Sequence, residues 1–350
     1  MSKTIILTGG GTAGHIMPNL ALLPMLEKEF DKIYYLGSKN SMEERIIKPY
    51  RDIEFIEIPT TKLVRKFTLK NLFVPFKLLN SVCKTKKIIK KIQPNVIFCK
   101  GGFVSVPVAI AGKMCKIPVI AHESDYSMGL ANKIILKFAN NVCTTFEDTA
   151  RISKKCICTG TPIRNQIFEG RKENILNKFD YDKNKKTILF FGGSLGSKNI
   201  NKLVKNGIHK LVEKYNILHI TGKGNIINKN VKGYYQVEFT DKIEDFFDAS
   251  NLVVCRGGAN SLFELLALNK PMLIIPLSKA ESRGDQLENA EYFKNNNFAD
   301  VMLEEEMSVE LLLNKIANIF SNNITTKNIT KYSGNKANRR IVDIIVKNSK

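Results

Sequence analysis

Two stretches place glycines where an anion could be held. GGGTAGH (Gly9 to His15) follows the apolar run TIILT, and GGSLGS (Gly192 to Ser197) follows TILFF; each leads into a helical pattern. Glycine lets the backbone approach a ligand closely, and the first turn of a helix offers unpaired N–H donors and a partial positive charge. Ser194 adds a hydroxyl suited to a phosphate oxygen. The alternative for either stretch is a tight strand–helix turn with no ligand. Gly9-x-Gly11-x-x-Gly14 also matches the dinucleotide fingerprint, which expects an acid at the end of the second strand. Leu36-Gly37-Ser38 stands there instead, so a nicotinamide-cofactor reading lacks its ribose contact.

The candidate proton carriers are few. The chain has four histidines, and His15 is the one beside a glycine turn, where an imidazole titrating near neutrality can act as a general base; the alternative is a residue that caps the turn. His122-Glu123-Ser124 ends the run IPVIAH, at the strand end where α/β proteins carry chemistry, although a buried, hydrogen-bonded histidine fits equally well. In CRGGANSLFELLALNKPMLIIP (Cys255 to Pro276), Glu264 falls in the first two helical turns, where a carboxylate can accept two hydrogen bonds from a ribose diol. A surface acid favoured by the helix dipole is the plain alternative. SRGDQLENA adds Asp285 and Gln286 at another helix start, suited to sugar hydroxyls. Asp180-Tyr181-Asp182 looks like a metal-holding DxD, but it lies in a polar segment before a strand and reads as a solvated loop. With no other cluster of metal-ligand spacing, no metal is expected, and a leaving diphosphate would be neutralised by Arg164, Ser194 and helix dipoles.

These residues need elements to hold them. Strand-like runs at 4–9, 32–37, 53–58, 95–99, 117–122 and 141–145, then at 187–191, 215–220, 251–255 and 271–275, alternate with helical periods. That alternation argues βαβ units and parallel sheets. Because 187–198 opens as 4–15 does, the expectation is α/β with two similar doubly wound halves: 1–162, 163–334 and a last helical segment, 335–350, with a hinge near 160–165. Two such halves facing across a cleft is the layout of a nucleotide-sugar enzyme. The length of 350 residues fits two domains that need no disulfide or metal staple. With 43% hydrophobic and 25% charged residues, disorder is excluded. The N-terminus shows no signal-peptide pattern, no apolar run spans a bilayer, and seven scattered cysteines without CxxC suit reduced cytosolic thiols.

Charge is the unusual quantity. The formal net charge is +21, and from Ile58 to His122 there are 13 Lys or Arg and no acid. Something negative is expected to meet the first half, unless the excess is a lysine-rich composition bias. Within 61–91 ten cations, Lys77 among them, mix with Leu69, Leu72, Phe73, Val74, Phe76, Leu78 and Leu79. An apolar patch ringed by lysine reads as an interfacial element on an anionic leaflet, against the alternative of a core-facing helix with a solvated basic face. A nucleic-acid-binding protein is the rival of a different class; with no Trp and with Phe set among aliphatics, the patch suits lipid better.

Taken in order, GGGTAGHIMPNLAL, GGFVSVP, HESDYSMGLANK, TGTPIR, GGSLGSKNIN, RGGANSLFELLALNKPMLIIP and RGDQLENA resemble the MurG family of peptidoglycan glycosyltransferases, over about residues 4–292. The resemblance implies a GT-B fold, two Rossmann-like domains with KANRRIVDIIVKN (336–348) crossing back to the first. It implies inverting, metal-independent transfer of N-acetylglucosamine from UDP-N-acetylglucosamine to the muramyl 4-hydroxyl of lipid I, giving lipid II. The second domain would take the donor, and the first the acceptor at the cytoplasmic face of the membrane, with cell-wall synthesis proteins as further partners and no nucleic acid. By the same resemblance, His15 is the base, with Glu123 next in line. Gly11, Thr12, Ala13, Arg164, Ser194, Ile243, Ala259, Asn260, Ser261, Leu262, Phe263, Glu264 and Gln286 would contact the donor, while Gly10, Gly14, His122 and Asp125 would line the acceptor side. Asp125 stands where many members carry Asn, and Ala13 where Gly is common. A transferase using another lipid acceptor, such as diacylglycerol, is the nearest rival.

Overall fold

The computed structural model describes residues 2–60, 74–193, 196–227, 230–279, 281–322 and 335–350. The chain divides into two compact units, Met1–Arg164 with Gly334–Lys350, and Asn165–Ser333.

The first unit alternates strand and helix. It runs β1 (Thr4–Thr8), α1 (Ala13–Leu26), β2 (Lys32–Gly37), α2 (Met42–Ile47), β3 (Ile53–Glu57), α3 (Val74–Ile92), β4 (Val96–Cys99), α4 (Ser105–Met114), β5 (Val119–Glu123), α5 (Leu130–Phe138), β6 (Asn141–Thr144), α6 (Glu147–Ala150) and β7 (Cys156–Cys158). All seven strands pair in parallel, in the order β3-β2-β1-β4-β5-β6-β7. A parallel sheet is covered on both faces, so its strands must be apolar on both. β1 shows why: Ile5 and Leu7 enter one core with Phe98 and Ile120, while Ile6 enters the other with Ile97 and Ala121. Strand order reverses between β1 and β4, and a ligand crevice opens at the carboxyl ends of strands at such a point.

The second unit has α7 (Glu173–Leu176), β8 (Thr187–Phe191), α8 (Lys198–Lys214), β9 (Asn216–Ile220), β10 (Tyr234–Val237), α9 (Ile243–Ala249), β11 (Leu252–Cys255), α10 (Ala259–Ala267), β12 (Met272–Ile274), α11 (Asp285–Asn295), β13 (Asp300–Val301) and α12 (Val309–Asn322). Its sheet order is β10-β9-β8-β11-β12-β13, again all parallel, with the reversal between β8 and β11. Both sheets are thus doubly wound, as the alternation of runs predicts.

The last helix, α13 (Asn335–Asn348), belongs to the first unit, where Ile341, Val342 and Ile345 join the core beside α1. Asn338, buried, fastens it: its Oδ1 accepts from Ile163 N–H at 3.0 Å and its Nδ2 donates to the carbonyls of Ile163 (2.8 Å) and Ala21 (3.3 Å). Asn338→Ala would strand the Ile163 N–H and C=O. Losing buried partners in this way costs about 2–4 kcal/mol, so thermal unfolding of the first unit is expected about 5–10 °C lower. A melting temperature equal to the parent's would show that this clasp contributes nothing.

Candidate active site

In the first unit the glycine turn leaves β1 beside the β4 end, where Lys100 N–H bonds Thr8 C=O at 2.8 Å. His15 lies in the first turn of α1, half-buried; its Nδ1 is 3.0 Å from Thr12 Oγ1 and its own N–H donates to Thr12 C=O at 3.1 Å. The Thr12 hydroxyl thereby orients the ring. A second turn, Gly101–Gly102, packs against the first. Gly102 has φ +78°, and a Cβ there would fall 2.4 Å from Gly10 O and 3.3 Å from His15 Nδ1, so only glycine allows this approach.

Beneath the same turn lies Glu43, 1% exposed, a residue that no motif marks. Its carboxylate accepts from Gly11 N–H (3.4 Å) and Ser38 N–H (3.1 Å). The Gly11 amide is therefore turned inward onto a buried acid.

The β5 end differs from its sequence reading. His122 is fully buried; its Nε2 donates to Gly160 C=O at 2.9 Å, which leaves Nδ1 unprotonated. Burial, aided by the Lys100 charge, holds the ring well below the ordinary histidine range, so it is neutral at pH 7. A side chain sealed in this way does not line a ligand, which corrects the acceptor-side expectation for His122. Glu123 is also 5% exposed and its oxygens are occupied: Oε1 accepts from Asp125 N–H at 3.0 Å, and Oε2 from Gly129 N–H and Asn132 Nδ2, both at 2.9 Å. It holds the 124–129 loop and the start of α5. That occupancy removes it as the alternative base. Lys100, buried, donates to Ser124 Oγ at 2.7 Å. Burial draws its ammonium down to about 8, against the pull of Glu123 and Asp125.

In the second unit, three turns converge at the carboxyl ends of β8, β11 and β12. The first passes Gly192 and Gly193 to Ser197, whose Oγ caps α8 by accepting from Ile200 N–H at 3.3 Å. Gly196 has φ +74°, and a Cβ there would fall 2.2 Å from Thr221 O. Ser194 lies outside the described residues. The second turn, Arg256–Gly258, opens α10. Its helix splits by face: Ala259, Leu262 and Phe263 are buried, Phe263 edge-on to Phe293 at 5.2 Å, while Asn260, Ser261 and Glu264 are half-buried. The expected run of donor contacts from Ala259 to Glu264 is therefore corrected for the Leu262 and Phe263 side chains, which face the core. Gln286, near the start of α11, accepts from Gly257 N–H (3.2 Å) and Leu277 N–H (3.1 Å) through Oε1, stitching the second turn to the third. Ile243 opens α9 and Arg164 ends the first unit, both half-buried. Phe239, 60% exposed just past β10, presents an aromatic ring at this sheet end that no motif marked.

Asp180 pairs with Lys232 at 3.0 Å on the surface and Asp182 accepts from Asn184 N–H at 2.9 Å, both before the amino end of β8. Among the described residues, no three His, Cys, Asp or Glu side chains are arranged to hold a metal ion.

Two family models account for most of the chain. The glycosyltransferase family 28 N-terminal domain matches residues 5–144, and the family's C-terminal domain matches 187–345. The chain belongs to glycosyltransferase family 28. Within it, the UDP-N-acetylglucosamine--N-acetylmuramyl-(pentapeptide) pyrophosphoryl-undecaprenol N-acetylglucosamine transferase of Clostridium tetani is 46% identical over 353 residues, 99% of this chain and 98% of that one. The Clostridium botulinum (strain Alaska E43) transferase of the same name is 46% identical over 347 residues, 98% and 96% of the two chains. The crystal structure of Acinetobacter baumannii MurG superposes with a TM-score of 0.76 at 23% identity, covering 99% of each chain. UDP-GlcNAc 2-epimerase from Neisseria meningitidis, solved bound to UDP-GlcNAc, gives 0.70 at 13% identity over 99% and 100%; at these identities the likeness is one of fold.

Proposed function

We propose that this family 28 chain transfers N-acetylglucosamine from UDP-N-acetylglucosamine to the muramyl 4-hydroxyl of lipid I, forming lipid II. The observation that carries the reading is near-full-length identity of 46% to transferases named for that donor and acceptor. The glycine turns of each unit lie at carboxyl strand ends, as the reading needs. The second unit takes the donor: the α8 turn with Ser194, helped by Arg164, takes the diphosphate, Glu264 takes the ribose diol, and Gln286 takes the sugar. The Ile243 backbone and the exposed Phe239 ring take the base. The first unit takes the acceptor at Gly10 and Gly14, with Asp125 on its rim, and Gly11, Thr12 and Ala13 contact the donor sugar. His15 accepts the hydroxyl proton as the oxygen attacks the anomeric carbon from the face opposite UDP. Cationic and helix-dipole groups stabilise the leaving diphosphate, so the reaction proceeds without a metal and a chelator leaves turnover unchanged.

The experiment is an acceptor panel with UDP-N-acetylglucosamine. A lipid I analogue should give a disaccharide product; transfer to diacylglycerol in its place would overturn the acceptor assignment.

The lipid-linked acceptor places the enzyme peripherally at the cytoplasmic face of the membrane, and α3 is the proposed contact. No helix among the described residues is long and apolar enough to cross a bilayer. Phe76 and Leu79 are 72% and 62% exposed and share one helix face, next to the exposed Lys77; Leu69, Leu72 and Phe73 of the same patch lie outside the described residues. Replacing both Phe76 and Leu79 by serine should weaken association with anionic vesicles at least ~10-fold, since burying each side chain is worth about 1.5–3 kcal/mol. Salt should weaken it further. Equal binding to neutral vesicles at every salt concentration would reject the electrostatic contribution.

A further inference from the structure

Arg256 and Glu304 form a buried ion pair: Nη2 stands 2.6 Å from Oε1, with both side chains 8% exposed. The pair has further partners on two segments, 275–278 and the start of α8. Arg256 Nη1 donates to the carbonyls of Ile275 (3.1 Å) and Pro276 (3.4 Å), past β12. Glu304 Oε1 accepts from Asn199 Nδ2 at 2.7 Å, in the first turn of α8, and Oε2 accepts from Ser278 N–H at 3.2 Å. These are the segments that carry the donor turns. Arg256 sits two residues ahead of Gly258, the cap of α10; Asn199 sits two residues past Ser197, the cap of α8; and Ser278 follows Leu277, which Gln286 holds.

We propose that the Arg256–Glu304 pair is a positioning device for the donor half-site, fixing the α8, α10 and 275–278 turns in the register that grips a nucleoside diphosphate. The inference rests on the donor assignment above. A buried ion pair is a poor way to gain stability, because apolar residues of similar volume usually serve as well or better. Its advantage is geometric: a planar guanidinium can serve a carboxylate and two carbonyls at once, in fixed directions. Burial alone would raise the Glu304 carboxyl, but hydrogen bonds from Asn199 and Arg256 and the guanidinium charge outweigh it and hold the group below its usual range. The Glu304 carboxyl is therefore ionised at neutral pH.

Calorimetric titration with UDP, alongside thermal unfolding, tests the proposal. The parent protein should bind UDP; if it does not, the donor assignment itself fails and this inference with it. If the parent binds, Arg256→Lys should keep the charge and a near-parental melting temperature yet bind UDP about 10-fold more weakly, because one ammonium cannot serve three acceptors in those directions. The double variant Arg256→Met/Glu304→Leu should melt within a few degrees of the parent and bind UDP at least ~10-fold more weakly. Parental UDP affinity in Arg256→Lys, or recovery of both stability and affinity in the double variant, would overturn the positioning role and leave the donor assignment standing.

Discussion

His15→Ala is expected to lower turnover by about 10²–10⁴-fold, the range that a positioned general base contributes, while UDP affinity stays within about twofold of the parent. The separation follows from placement. His15 belongs to the first unit, and the residues proposed to hold UDP belong almost entirely to the second. His15 is also the one histidine at a glycine turn: His122 and His219 are fully buried and held neutral, His219 at about 3 through burial, between Tyr234 and Asn201. Glu123, with three N–H donors on its carboxylate, is not a substitute. Single-turnover rates with saturating donor give the cleanest measure. Unchanged turnover in the alanine variant would remove His15 from the reaction.

Glu264→Ala is expected to raise the KM for UDP-N-acetylglucosamine by about 10²–10⁴-fold, with KM for the lipid acceptor little changed. Hydrogen bonds to a charged group are worth about 1.5–3 kcal/mol each, and a ribose diol donates two. Glu264 sits on the half-buried face of α10 with Asn260 and Ser261, while its neighbours Leu262, Phe263, Leu265 and Leu266 fill the core. Removing it therefore leaves the helix packed. Glu264→Gln, which accepts through one oxygen and carries no charge, should fall between parent and alanine. A donor KM unchanged in both variants would move the ribose elsewhere.

Much of the architecture could be read in the chain because a parallel sheet buries both faces of each strand. Runs such as TIILT, VIFC and LVVC are then continuously apolar and stand out from amphipathic helices. Three strands escaped this reading: β7, β10 and β13, each short and partly exposed; β7 is only three residues long, and Gln236 in β10 and Asp300 in β13 break the apolar run. The site was legible where chemistry follows local sequence. Glycines at strand–helix turns and the caps beside them are fixed by neighbours in the chain. It was illegible where function depends on what the fold brings from afar. HES reads the same whether its carboxylate is free or occupied, and only the return of Gly129 and Asn132 decides it. Likewise, nothing near Arg256 announces Glu304, and nothing near Gly11 announces Glu43.

One assay bears on the whole account: incubation with UDP-N-acetylglucosamine and a lipid I analogue, following UDP release with mass and NMR analysis of the lipid product. The expected result is one UDP per N-acetylhexosamine added, joined to the muramyl 4-hydroxyl with inverted anomeric configuration. UDP release without a disaccharide, or a product that retains the donor's configuration, would contradict it.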